Sequence, residues 1–256
     1  AGHGVLIRDD GLVLTIGYLI SEADGVWLID NKGRATKAYV VGYDQETGFG
    51  LVQALQRLDL PYLELGDSSD LNEGDSVVIA GHGGREHAVS SRVISIREFA
   101  GYWEYLLDEA IFISPPHPNW GGTALIGSAG KLQGIGSLFV QLSIPGRIAA
   151  DGNMIVPTDL LKPILDDMLT LGRISKPPRP WLGMLTAEAE NQLVVAGLVD
   201  EGPAEHAELQ VGDMVVAVKG QAVNELGTMY RTIWGLGSAG VEIPLTVLRD
   251  GDRLEI

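Results

Sequence analysis

Thr158-Asp159-Leu160-Leu161-Lys162-Pro163-Ile164-Leu165-Asp166-Asp167-Met168-Leu169-Thr170-Leu171-Gly172, followed at once by Arg173-Ile174-Ser175-Lys176-Pro177-Pro178-Arg179-Pro180, is where the chain changes character. Leu160, Leu161, Ile164, Leu165, Met168 and Leu169 recur at helical spacing, Thr158 is placed to cap the N-terminus, and Gly172 stands where a helix-ending glycine belongs. The spacing predicts a helix opening at Thr158. The polar, proline-rich 173–180 behind it predicts a semi-rigid extended spacer, and so a boundary between two domains, 1–172 and 181–256.

Upstream of this boundary the pattern is short β-rich runs punctuated by turn residues. Val5–Ile7, Leu12–Ile16, Val26–Ile29, Ala38–Val41, Leu51–Leu55, Ser76–Ala80, Arg92–Ile96, Ala110–Ile113, Gly122–Ile126 and Gly134–Val140 all read as strands. So many short strands, with hardly a helix among them, argue for barrels or sandwiches. Downstream, Leu193–Val199, Met214–Val218 and Val241–Leu248 read as strands and Leu226–Trp234 as a helix. Arg249-Asp250-Gly251-Asp252 is a hairpin-turn signal before Arg253–Ile256. The second domain is a small α+β module.

Composition narrows the function classes. Lys and Arg number 18 against 34 Asp and Glu, a formal charge of −16, which disfavours nucleic acid or an anionic membrane as partner. The absence of cysteine excludes disulfides, thiolate metal sites and thiol nucleophiles, and leaves the redox compartment open. No apolar run approaches the ~20 residues needed to cross a bilayer, so the chain is expected to be soluble. It opens in a strand, and any signal peptide or anchor is expected upstream in the natural precursor. Glycine, 34 of 256 residues, fits a chain full of tight turns.

Several segments carry a family resemblance. Gly2-His3-Gly4-Val5-Leu6-Ile7 with Asp10-Gly11-Leu12-Val13-Leu14-Thr15 resembles the opening of the chymotrypsin-fold proteases of the HtrA/DegP type. Tyr62–Leu71 with Glu73-Gly74-Asp75 resembles the entry to their second barrel, and Asp159–Leu165 their closing helix. Pro180–Met184 resembles the start of their PDZ domain, and Gly202-Pro203-Ala204-Glu205, Ala207–Asp213 and Val216–Gly220 resemble its core signature. The resemblance implies a mostly β fold, a chymotrypsin-like double β-barrel followed by a PDZ domain.

It also implies where acyl-transfer chemistry should lie. A serine protease needs a hydroxyl nucleophile, an imidazole to take its proton and a carboxylate to fix the imidazole tautomer. The imidazole position of the family falls on Tyr18, whose phenol has an ordinary pKa of ~10 and is a poor base near neutral pH. The carboxylate position falls on Gly48, and the nucleophile position, within Pro118-Asn119-Trp120-Gly121-Gly122-Thr123, on Trp120. Pro118 stands where a backbone N–H would serve the oxyanion hole, a donor whose loss is worth roughly 10²–10³ in rate. The expectation is a pseudoenzyme without catalytic residues, metal or cofactor. The alternatives are a relocated pair, with Ser114 and His117 as its candidates, or a histidine metal site using His82 and His87. Against both stands the reading of His3, His82, His87, His117 and His206 as turn and surface residues. Tyr18 and Trp120 either line a ligand pocket or plug the old cleft, the plug being the expectation. The aromatic-rich Phe99–Leu107 is either an exposed contact loop or one packed on its own domain.

For the second domain the resemblance implies capture of peptides or protein C-termini. An extended peptide adds as a strand beside the loop Trp181-Leu182-Gly183-Met184, whose N–H groups hold its carboxylate. Met229 and Ile233, four apart on the helix, share a face that lines either this groove or the core. A scaffold, chaperone or regulator of the bacterial periplasm is expected, trimeric as the resemblance implies and pairing with an active HtrA-like homologue.

Overall fold

The computed structural model describes residues 1–142 and 149–256. The chain divides into two compact units, Ala1–Arg97 with Glu109–Ser175, and Glu98–Asp108 with Lys176–Ile256.

The first unit opens with β1 (Val5–Leu6), β2 (Leu12–Ile16), β3 (Val26–Ile29), β4 (Ala35–Tyr43) and β5 (Phe49–Ala54), an antiparallel sheet in the order β1-β2-β5-β4-β3. β2 is buried along its whole length, which is why its sequence is nearly all apolar instead of alternating; its one polar residue, Thr15, donates its hydroxyl to His3 O (2.7 Å). Its register, Leu14 opposite Leu51 and Ile16 opposite Phe49, puts large apolar pairs in the core. β6 (Ser76–Ala80), β7 (Val89–Gly101), β8 (Tyr105–Ser114), β9 (Ala124–Ile126), β10 (Leu132–Leu142) and β11 (Ala150–Pro157) then close a barrel, ordered β10-β11-β8-β7-β6-β9. Val77, Ile79, Ile111, Ile113, Leu125 and Ile155 fill it.

β11 is a strand that the sequence reading lacks. Its Asp151-Gly152-Asn153 has turn composition, yet Asn153 is fully buried. Its Oδ1 accepts the His117 N–H (2.7 Å) and its Nδ2 donates to the His117 and Leu138 carbonyls, so the interior position is hydrogen-bonded. The closing helix, α1 (Leu165–Leu171), starts later than Thr158 predicts. Residues 158–160 form a 3₁₀ turn, and the Thr158 hydroxyl donates to the Gly66 and Leu132 carbonyls instead of capping α1. Pro163, with no N–H to give, separates the two pieces. Gly172 ends α1 at φ +68°, its N–H donating to Met168 O, as the sequence leads one to expect.

The second unit comprises β12 (Met184–Ala189), β13 (Gln192–Leu198), α2 (Pro203–His206), β14 (Met214–Val218), β15 (Gln221–Ala222), α3 (Leu226–Trp234), β16 (Leu245–Arg249) and β17 (Asp252–Glu255). The sheet runs β12-β13-β14-β16-β17, with β15 on β14. Asp250 and Gly251 both take positive φ, the backbone of a type I′ turn, and set Arg249 opposite Asp252. Leu182, Met184, Leu193, Val195, Val215, Met229, Tyr230, Ile233 and Val247 form the core. Ala100 and Leu106 pack against it, so residues 98–108, expected within the first domain, belong to this unit.

Candidate functional site

In the first unit, Tyr18 lies on the 3₁₀ turn Gly17–Leu19 at the end of β2. Its Oη donates to the Ser137 carbonyl on β10 (2.7 Å). Burial of that hydroxyl end pushes its pKa up, and a side-chain hydrogen bond with Trp120 acts the other way. The residue as a whole is 54% exposed, so it pins β2 to β10 through one hydrogen bond and does not plug the cleft as expected. Trp120 is half-buried, its ring 5.5 Å from that of Phe139. Gly48 sits at φ +83° in a tight turn, donating to Asp44 O and accepting from Gly17 N–H (2.7 Å). The adjacent acid, Asp44, accepts from the Thr47 N–H and hydroxyl and holds that turn shut.

In the loop holding Pro118 the amides turn inward. Asn119 N–H donates to His117 Nδ1, Gly122 N–H to Gly136 O and Thr123 N–H to Trp120 O. His117 is buried, with Nε2 3.1 Å from His87 O. The Ser114 hydroxyl donates to Asp151 O, so each member of the alternative pair is engaged by backbone. His3 sits edge-on to His117 at 5.6 Å, and burial, then the charge of His117, lowers its pKa. His82 gives its N–H to His3 Nδ1. Among the described residues no group of three or more His, Cys, Asp or Glu side chains is set to hold a metal ion.

The second unit contains a built anion cradle. The N–H groups of Leu182, Gly183 and Met184 converge on one carboxylate, that of Glu104, at 2.8–3.1 Å. Three successive amides can point the same way because Gly183 takes φ +70°; a Cβ there would also stand 3.1 Å from the Trp181 ring. The Thr186 N–H on β12 donates to Tyr102 O (2.9 Å). Burial pushes the Glu104 carboxyl up even though the three amides pull it down. The expected loop residues thus contribute backbone, with Trp181 exposed and Leu182 and Met184 buried beneath. Met229 and Ile233, at 0% and 1% exposure, belong to the core cluster, against which Ala100 and Leu106 of the aromatic segment also pack. Their α3 neighbour Tyr230 reaches the turn at residues 102–104 that carries Glu104: its Oη donates to Gly101 O (2.8 Å) and accepts Glu104 N–H (3.2 Å). Sequence reasoning missed both Glu104 and Tyr230. The one available signal was an acid set among Tyr102, Trp103 and Tyr105.

A barrel-containing unit followed by a small α+β unit with a three-amide carboxylate loop defines a trypsin-like fold joined to a PDZ domain. The trypsin-like peptidase domain family matches residues 2–135 and the PDZ domain family matches residues 180–256, and the chain belongs to the trypsin-like peptidase family. Its relatives are of the HtrA/DegP type. A probable periplasmic serine endoprotease DegP-like of Halomonas elongata is 30% identical over 273 residues, covering all of this chain and 55% of the relative. One of Pseudomonas fluorescens is 29% identical over 272 residues with the same coverage. The chain therefore spans about half the length of the curated relatives it matches. Among solved structures, the HtrA-type protease AlgW with decapeptide has a TM-score of 0.58 at 24% identity, covering 99% of this chain and 80% of that one. The serine endoprotease from Yersinia pestis has a TM-score of 0.54 at 23% identity, covering 99% and 86%. These two share the fold. The relatives correct one expectation: they are named serine endoproteases, so the assignment of this chain as no enzyme gives way to membership of an enzyme family.

Proposed function

We propose that this chain captures peptides or unfolded protein tails by their C-terminal carboxylate in the loop Trp181–Met184, and that it acts as a scaffold, chaperone or regulator in the periplasm. The observation that carries this is the convergence of the Leu182, Gly183 and Met184 amides on a single carboxylate, a geometry that accepts an anion without needing a basic side chain. Buried Leu182 and Met184 beside the cradle favour an apolar C-terminal residue. The periplasmic location rests on the relatives' printed names. A trimer, and pairing with an active HtrA-like homologue, belong to the same reading; light scattering and co-purification measure them.

The test uses fluorescein-labelled decapeptides ending in Val, Leu or Phe, either as the free acid or amidated. Fluorescence anisotropy is expected to show binding of the free acids and at least ~10-fold weaker binding of the amides, the loss of about 1.4 kcal/mol of charge-assisted bonding. Equal affinity would remove the carboxylate loop from the account.

The relatives' names favour a second reading, serine endopeptidase activity. Casein turnover that disappears on His117→Ala would assign it to the Ser114/His117 loop.

A further inference from the structure

The carboxylate in the cradle comes from the chain itself, and the turn that delivers it sits there as a bound strand would. Glu104 takes the amides of Leu182, Gly183 and Met184. Two residues back along the turn, Tyr102 O accepts from Thr186 N–H, two residues forward of Met184. The segment therefore runs antiparallel to β12, the direction of a peptide added to a sheet edge. On the other side Tyr230 of α3 clasps the same turn through Gly101 O and Glu104 N–H, and Arg231 pairs with Glu98 and Asp108 at its base. Glu104 holds φ +59°, a left-handed backbone uncommon for a non-glycine residue. The aromatic insertion is thus packed within the second unit, while the Tyr102 ring stays largely exposed.

We propose that the Gly101–Tyr105 turn is a built-in occupant of the carboxylate loop, so that a peptide C-terminus binds only when the turn leaves. The inference rests on the peptide-capture reading above. Both occupants present a carboxylate to the same three amides and a carbonyl to the Thr186 N–H, so they exclude each other. The apparent affinity for peptide is the intrinsic affinity multiplied by the fraction of molecules with the turn released. Burial of the Glu104 charge is only partly offset by the amides, which suits an occupant that a peptide can displace.

The experiment measures the free-acid and amidated decapeptides against the full chain and Glu104→Ala, with hydrogen exchange of the Leu182, Gly183 and Met184 amides recorded without peptide. The expected result is at least ~10-fold tighter binding of free acids by Glu104→Ala, together with faster exchange at those amides. Glu104→Gln, which keeps the side-chain size, repeats the comparison should the alanine variant be unstable. Equal affinity of wild type and variants overturns the occupant and leaves peptide capture standing. Failure of every protein to bind, with the amides opened in the variant, overturns peptide capture and this inference with it.

Discussion

Tyr18 stands where the family resemblance implies an imidazole, and its phenol is committed to the Ser137 carbonyl. Tyr18→Phe removes that bond and leaves a buried carbonyl without its donor, so we expect a loss of about 1 kcal/mol in urea unfolding and unchanged peptide affinity. A larger cost is expected in the second unit. Asp213 is 1% exposed and takes a bidentate pair from Arg249 (2.7 Å for each bond) plus the Gln210 N–H. Asp213→Ala takes the bidentate carboxylate from Arg249, itself three-quarters buried, leaving it the Glu208 carbonyl, and should lower the urea midpoint more than Tyr18→Phe does. At this scale the sequence was most legible where chemistry is local. Gly172 declares itself from neighbouring residues as the glycine that ends α1. Glu104 and Tyr230 do not, because their partners lie 78 and 126 positions away along the chain.

Elements show the same division. β2, β3, β6, β14 and α3 fall where periodicity puts them, since each carries its own apolar signal and turn punctuation. β11 was illegible because its turn-like Asp-Gly-Asn is stabilised from outside, by the His117 backbone. β12 was missed as well; half of it is exposed, and Thr186 on it is a fully buried polar residue. α1 and β4 touch so closely that a Cβ at Gly42 would stand 2.4 Å from Gly172 O, a backbone atom that cannot swing away. Gly42→Ala should cost about 1–3 kcal/mol in unfolding free energy without moving peptide affinity. Gly183→Ala tests the opposite case. It strains the positive-φ backbone of the carboxylate loop and presses on Trp181, and peptide binding should weaken about 5–10-fold while the urea midpoint shifts little.

The whole molecule carries a charge of −16, and its acid response follows from a few paired carboxylates. Asp159 is held at about 2: burial opposes ionisation, and Lys162, Ser68 and Ser69 outweigh it. Asp213 is lowered by Arg249, against burial. A carboxyl depressed in the folded state contributes stability that is complete above its unfolded pKa of roughly 3.9 and is lost as pH falls through the folded value. These pairings should therefore make urea midpoints fall steadily between pH 4 and 2. Glu104 runs the other way, its raised pKa giving a contribution that fades as pH rises through the folded value, so it cannot produce that acid limb. A flat profile between pH 4 and 2 would contradict these pairings.

Where a peptide carboxylate goes is read directly by amide NMR of the full chain. On adding a free-acid decapeptide ending in an apolar residue, the Leu182, Gly183, Met184 and Thr186 amides should shift, and the amidated peptide should leave them in place. Shifts confined to the barrel residues around Tyr18 and Trp120, with 182–186 unmoved, would contradict carboxylate capture by the loop Trp181–Met184.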